Sequence, residues 1–135
     1  MRFEKRFSKL RRVGYPPTPA LKPSLAFYCL VSTVYGKLSK QEVESARRAV
    51  RRSLRRKGEL QIRVFPTIPF TKKPLQARMG KGKGRIVGFL SPVYPGKVVL
   101  ELSLVSEQKA KEALLLAAAK LSIPVRVASF SELFF

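Results

Sequence analysis

The sequence predicts an α+β sandwich, two helices packed on one side of a mostly antiparallel sheet, and three observations carry that expectation. A capping box, Ser39-Lys40-Gln41-Glu42, opens a stretch of helically spaced apolar residues, and a second such stretch follows Ser106. Apolar residues alternate with others at Leu60, Ile62 and Val64, and again at Val98, Leu100, Leu102 and Leu104, the period of a half-buried strand. Between strands, Tyr94-Pro95-Gly96-Lys97 puts Pro and Gly at the central positions of a type II turn. The 135 residues suit one domain, read as a basic, Pro-rich arm over 1–24 and a folded unit over 25–135 with a loop at 66–85.

Taken in order, the arm begins with Arg2, Lys5, Arg6, Lys9, Arg11 and Arg12, with Phe3, Phe7 and Leu10 at helical spacing. That pattern is similar to a mitochondrial transit peptide, although Glu4 is atypical, and the reading preferred here is a basic arm lying on nucleic acid. Pro16, Pro17, Pro19 and Pro23 exclude a helix or central strand and predict an extended tether. Residues 25–34, with Phe27, Tyr28, Val31, Thr33 and Val34, predict a strand ended by Gly36.

The first helix is predicted from the Ser39 cap to Gly58 as its C′ residue. Val43, Ala46, Val50 and Leu54 share one face, and Arg47, Arg48, Arg51, Arg52, Arg55 and Arg56 fan across the other. Like charges at i,i+4 cost roughly 0.2–0.5 kcal/mol per pair. A merely solvated face normally mixes signs, so this one is read as a phosphate-binding face, arginine being suited to forked contacts with phosphate. After the strand at residues 60–64, Pro66, Pro69 and Pro74 keep the route to the loop extended and out of any sheet interior. Residues 86–93 return as a strand shortened or kinked at Pro92, and residues 98–104 form the next. Ser106 caps the second helix, with Ala110, Ala113, Leu114, Ala117 and Leu121 as its packing stripe; Pro124 stops it, and residues 125–130 form a last strand.

Charge bounds the function. Lys and Arg number 28 against 8 acids, all Glu, for a net +20. Residues through Arg85 hold 23 of the bases and 4 of the acids, so the partner is met mainly there and the last third reads as scaffold. Self-repulsion of this size is relieved by a polyanion. There is no His and no Asp, and the single Cys29, lacking any His partner, reads as a small buried residue; no catalytic residue, metal or cofactor is expected. No apolar run has the length of a membrane-spanning helix, and a membrane-active role for residues 1–12 is disfavoured because the helices' apolar faces are needed for a core.

The densest signal is the loop: Lys72, Lys73, then Arg78, Met79, Gly80, Lys81, Gly82, Lys83, Gly84 and Arg85. Alternating glycine lets the backbone take positive φ and approach another surface, and successive N–H groups in such a turn form an anion-binding concavity. It is not a nucleotide loop: Gly82-Lys83 is followed by Gly84 where a Ser or Thr would bind magnesium, and the dinucleotide pattern fails at Arg85. The bland alternative is a solvated hairpin tip.

From about residue 38 to 130 the chain resembles the universal large-subunit ribosomal protein sixteen family, in its bacterial and organellar form. The matching pieces are Glu44-x-Ala46-Arg47-Arg48-Ala49, Ile62-Arg63-Val64-Phe65-Pro66, Thr71 with Lys73-Pro74, the string from Arg78 through Gly84, Pro95-Gly96-Lys97-Val98, Val105-Ser106-Glu107 and Ala118-Ala119-Lys120-Leu121. The resemblance implies an α/β-hammerhead-like fold and no catalysis. It implies large-subunit rRNA, tRNA and neighbouring ribosomal proteins as partners, with no small-molecule substrate, and residues 72–85 pointing towards the bound tRNAs near the peptidyl transferase centre. The arm, the six helix arginines, Arg63, Lys72 and Lys73 are the implied rRNA contacts; Arg78 through Arg85 form the implied tRNA loop. Two stretches depart from the family: Val87, Gly88 and Phe89 stand where Glu-Tyr-Trp is usual, and residues 25–30 lack the usual glycines. They imply a diverged organellar ribosome, expected to be mitochondrial, with a plastid or a bacterial cytoplasm as alternatives. The rival class is a free-standing, nonspecific nucleic-acid-binding module.

Overall fold

A computed structural model describes residues 28–129; expectations placed on residues 1–27, including the six basic residues from Arg2 to Arg12, and on 130–135 lie outside it. The elements run β1 (Tyr28–Ser32), β2 (Gly36–Ser39), α1 (Lys40–Ser53), β3 (Glu59–Ile62), β4 (Ile68–Lys72), β5 (Arg85–Val93), β6 (Val98–Ser103), α2 (Glu107–Ala118) and β7 (Val125–Ser129). The class is the expected α+β one, with every strand pair antiparallel, but the strands divide into two sheets, ordered β3-β6-β1-β7 and β2-β5-β4.

Two of these strands were not legible as strands. Gly36 does not end the first strand; it begins β2, because the chain turns at residues 33–35 and packs against Ile123, whose Cγ2 would lie 2.3 Å from a Cβ at Gly36. Pro69 sits within β4, an edge strand where a missing N–H is tolerated. Pro92 does not shorten β5, which runs on to Val93; the pairing of β4 stops at Leu90, so Pro92 has a strand neighbour on one side only. Tyr94 to Lys97 closes as predicted: the Lys97 N–H donates to the Tyr94 carbonyl at 3.0 Å, and Gly96 takes φ 81°.

The two helices pack on each other, α2 lying against β1 and β7 and α1 against β2, β3 and β5. Their buried stripes are those expected: Val43, Ala46 and Val50 on α1, and Ala110, Ala113, Leu114 and Ala117 on α2. The alanines permit close approach, and these residues join Leu30, Leu38, Leu100 and Leu102 in one core. Ser106 stands at the N-cap of α2, but its side chain makes no capping bond.

β6 departs from a half-buried strand. All six of its residues are buried, and Leu104 lies beyond it, exposed, at φ 59°. Register pairs Leu100 with Leu30 on the helix face and Glu101 with Cys29 on the other, where Cys29, Val31, Val98 and Ala128 form a second apolar cluster. Cys29 is thus buried, as expected, its Sγ 3.4 Å from the Ala128 carbonyl. Glu101 is 1% exposed and sits 3.1 Å from the Nε of Arg63.

A buried carboxylate is tolerable only with a counter-charge, and removing one partner of such a pair costs about 3–5 kcal/mol. Arg63→Ala is expected to destabilise the fold by about 3 kcal/mol, read as a lowered urea midpoint. Combining Arg63→Met with Glu101→Leu should restore most of that loss, because no unpaired charge remains. Equal midpoints for wild type and Arg63→Ala would refute the pairing.

Candidate nucleic-acid interface

Two exposed basic surfaces rise from this core. The first belongs to α1, whose start is fixed by the full capping box: the Ser39 N–H donates to Glu42 Oε2 at 2.6 Å, and the Glu42 N–H donates to Ser39 Oγ at 3.3 Å. Burial acts to raise the Glu42 carboxyl, but hydrogen bonds from Ser122 and Ser39 outweigh it and hold the group below its ordinary value. Glu42 therefore ties the start of α1 to the turn after α2.

The helix holds four of the six expected arginines. Leu54 is its C-cap, and the helix is ended by Arg55 and Arg56, which take left-handed φ of 47° and 65°, with the Arg56 N–H donating to the Arg51 carbonyl at 3.2 Å. Those two residues occupy the positions that Gly58 was expected to serve. Nor is the face free of acids. Glu44 receives Arg47 through Nε and Nη2, both at 2.8 Å, and Arg48 through Nε at 2.9 Å. Those hydrogen bonds, from Arg47 first and then Arg48, pull the Glu44 carboxyl down to about 2 against a smaller opposing effect of burial, and Glu44 holds the Arg47 guanidinium above its ordinary value. Arg51 donates to the Gly58 carbonyl at 3.2 Å. Arg52, Arg55 and Arg56 are exposed and make no ion pair among the described residues. Arg63 is brought to Glu101, not to this face.

The second surface is the finger between β4 and β5, which pair to their outer ends at Lys72 and Arg85. Gly80, Lys81 and Gly82 all take positive φ (96°, 52° and 85°), so the reversal expected of the glycines also includes a lysine. Gly84 serves differently: a Cβ there would lie 2.5 Å from the Lys72 carbonyl oxygen, so its bare backbone closes the base of the finger. The Ala77 N–H donates to the Pro74 carbonyl at 3.1 Å, and Lys73 Nζ donates to the Gly80 carbonyl across the loop. Arg78, Met79, Lys81, Lys83 and Arg85 are exposed, around a concavity of about 620 Å³. No acid occurs in the chain between Glu59 and Glu101, so nothing local competes with an incoming anion. Lys72 and Lys73 line an adjoining hollow with Arg85, Ile86 and Val87. Val87 and the neighbouring Ile86 are exposed apolar residues that the sequence reading did not single out as surface.

Among the described residues, no group of three or more His, Cys, Asp or Glu could hold a metal ion, and no helix is long and apolar enough to cross a membrane. An arginine face and an acid-free glycine–lysine finger on a small α+β core are surfaces suited to a polyanion. The sequence profile described as ribosomal protein L16p/L10e matches residues 3–128, and the chain belongs to that family, one of ribosomal proteins and not of enzymes. It is 48% identical over 100 residues to the large ribosomal subunit protein uL16 of Aeromonas hydrophila, covering 74% of this chain and 73% of the relative. The uL16 of Aeromonas salmonicida matches to the same extent, 48% over 100 residues. Both relatives are bacterial, so the mitochondrial assignment expected from the sequence finds no support in them.

The Glu44 cluster makes a direct prediction. Because its folded-state value is depressed, its contribution to stability is complete above the ordinary carboxylate range and is lost as pH falls towards about 2. A carboxyl titration followed by NMR is expected to place Glu44 near 2 at low ionic strength and to move it upward in about 1 M salt, where an exposed pair is screened. A midpoint at the ordinary value of about 4.3 in low salt would show that the arginines are not held by Glu44.

Proposed function

We propose that the chain is a structural constituent of the large ribosomal subunit. In this reading it binds large-subunit rRNA through α1 and the basic arm, and presents its finger towards the tRNA sites near the peptidyl transferase centre. The observation that carries it is the coexistence of two basic surfaces of different build within a chain of this family. α1 and the turn that follows it present an array suited to an RNA backbone: Glu44 splints Arg47 and Arg48, Arg52 stands exposed on the helix, and Arg55 and Arg56 stand exposed just past its end. The finger is a protruding backbone turn with Arg78, Lys81, Lys83 and Arg85 around it, open enough for a sugar-phosphate chain to approach main-chain N–H groups. Met79 and Leu75, almost fully exposed on the same loop, add apolar surface that a stacked or splayed base can cover.

The division of labour is testable. Large subunits assembled without the resident protein are supplemented with this chain or its variants, then scored for incorporation by sedimentation and for peptide-bond formation. Replacing Arg78, Lys81, Lys83 and Arg85 together by Gln is expected to lower peptide synthesis by about tenfold, the equivalent of about 1.4 kcal/mol, with incorporation almost unchanged. Replacing Arg48, Arg52 and Arg56 by Gln should reduce incorporation first, and increasingly so as salt rises. Parallel loss of both readouts in the finger variant would contradict the proposal. Release of the wild-type chain from the particle at moderate salt would favour the free-standing nonspecific binder instead.

A further inference from the structure

Past the end of α1 lies a third basic hollow, of about 610 Å³, which the sequence reading did not anticipate. One wall carries Arg55 and Lys57 from the turn after α1; the other carries Leu104 and Lys109 from the corner between β6 and α2. All three cations are exposed, and none makes an ion pair among the described residues. The acid nearest in sequence to Lys109 is engaged elsewhere: Glu107 pairs with Lys111 at 2.6 Å. At about 100° per residue Glu107 and Lys109 stand on opposite sides of α2, and Glu107 and Lys111 line a different hollow beside Tyr28 and Val127.

The two walls are locked together, not merely adjacent. Gly58, at φ 75°, is pressed so closely into the opposite corner that a Cβ on it would lie 2.2 Å from Val105 Cγ2 and 3.0 Å from the Ser103 carbonyl. Arg51 holds the same residue by its carbonyl at 3.2 Å. The backbone positions that carry three like charges are thus held around a preformed concavity, an arrangement that raises the energy of the free protein and is relieved by an anion between them.

We propose that this hollow seats a phosphodiester of the bound RNA, held by Arg55, Lys57 and Lys109, so that the footprint passes from α1 onto the start of α2. The proposal rests on the reading of α1 as an RNA-binding face. It brings into the interface a part of the last third of the chain, which its near-neutral charge had marked as scaffold.

The test is a salt series of binding titrations with the full chain and an RNA duplex of about 20 base pairs, since each phosphate contact contributes about 0.9 to the slope of log K against log salt. Lys109→Gln is expected to lower the slope by about one, and Arg55→Gln with Lys57→Gln by up to about two. Lys111→Gln, on the other side of the same helix, should leave it unchanged. A Lys109→Gln slope equal to that of Lys111→Gln overturns the proposal. The parent reading is judged separately by Arg48→Gln with Arg52→Gln: an undiminished slope there overturns α1 as an RNA-binding face, whatever Lys109 does.

Discussion

The governing constraint is electrostatic: a +20 chain has only eight acids with which to offset its own repulsion. Its few acids are therefore placed with care. Glu101 is buried against Arg63 within the four-stranded sheet, Glu44 splints two arginines, and Glu42 closes a cap and reaches the turn after α2. Where no acid is at hand, main-chain carbonyls serve, taking Arg51 at Gly58 and Lys73 at Gly80. Apart from the Glu42 cap, each of these contacts orders a cation without neutralising the surface as a whole. The result is a set of pre-positioned positive groups whose mutual repulsion is relieved only by a polyanion, so RNA binding and folded-state stability are linked.

The apolar interior is what makes this sustainable. β6 is buried on both faces, and α2 meets the sheet through alanines that let backbone approach backbone. Such a core gains roughly 25 cal/mol for each Å² of apolar surface withdrawn from water, a term that salt does not screen. Among the described residues, those other than glycine with positive φ are Arg55, Arg56, Lys81 and Leu104; all four are exposed, and each lies at a turn that carries or borders a basic hollow.

What the sequence made legible was whatever repeats with a period. The helix stripes at Val43, Ala46, Val50 and Ala110, Ala113, Ala117 follow from spacing, and the turn at Tyr94 to Lys97 from its residue types. The family was readable from the string Arg78 through Gly84 in its frame. What stayed hidden depends on contacts distant in sequence. Nothing local says that Gly36 starts a strand; Ile123 decides that. Arg63 looked like one more RNA-facing cation, because its partner Glu101 lies far along the chain in an alternating pattern that reads as solvent-facing. Charge counting likewise did not bring out Lys109, whose neighbours around the hollow, Arg55 and Lys57, are distant from it in sequence.

One strand joins the two basic surfaces of the interface. β5 has its inner end buried, with Val93 fully enclosed and the strand packed on α1, while Arg85, Ile86 and Val87 at its outer end are exposed beside the finger. Nine residues at about 3.3 Å each make a lever of about 30 Å. β4 pairs along its outer half and β2 along its inner half, so it is paired along its length save at a bulge that skips Val87. A finger on an unpaired loop would sample many positions. A finger on a paired strand seated on α1 is held in register with that helix, so under the proposed reading whatever fixes α1 also sets where Gly80 to Gly82 stand. Gly84 completes the coupling, since closure of its bare backbone on Lys72 ties the turn to the end of β4. A larger residue there would meet the Lys72 carbonyl and loosen the finger at its base, so a loop whose Leu75 and Met79 stand almost fully exposed depends on one of the tightest contacts among the described residues.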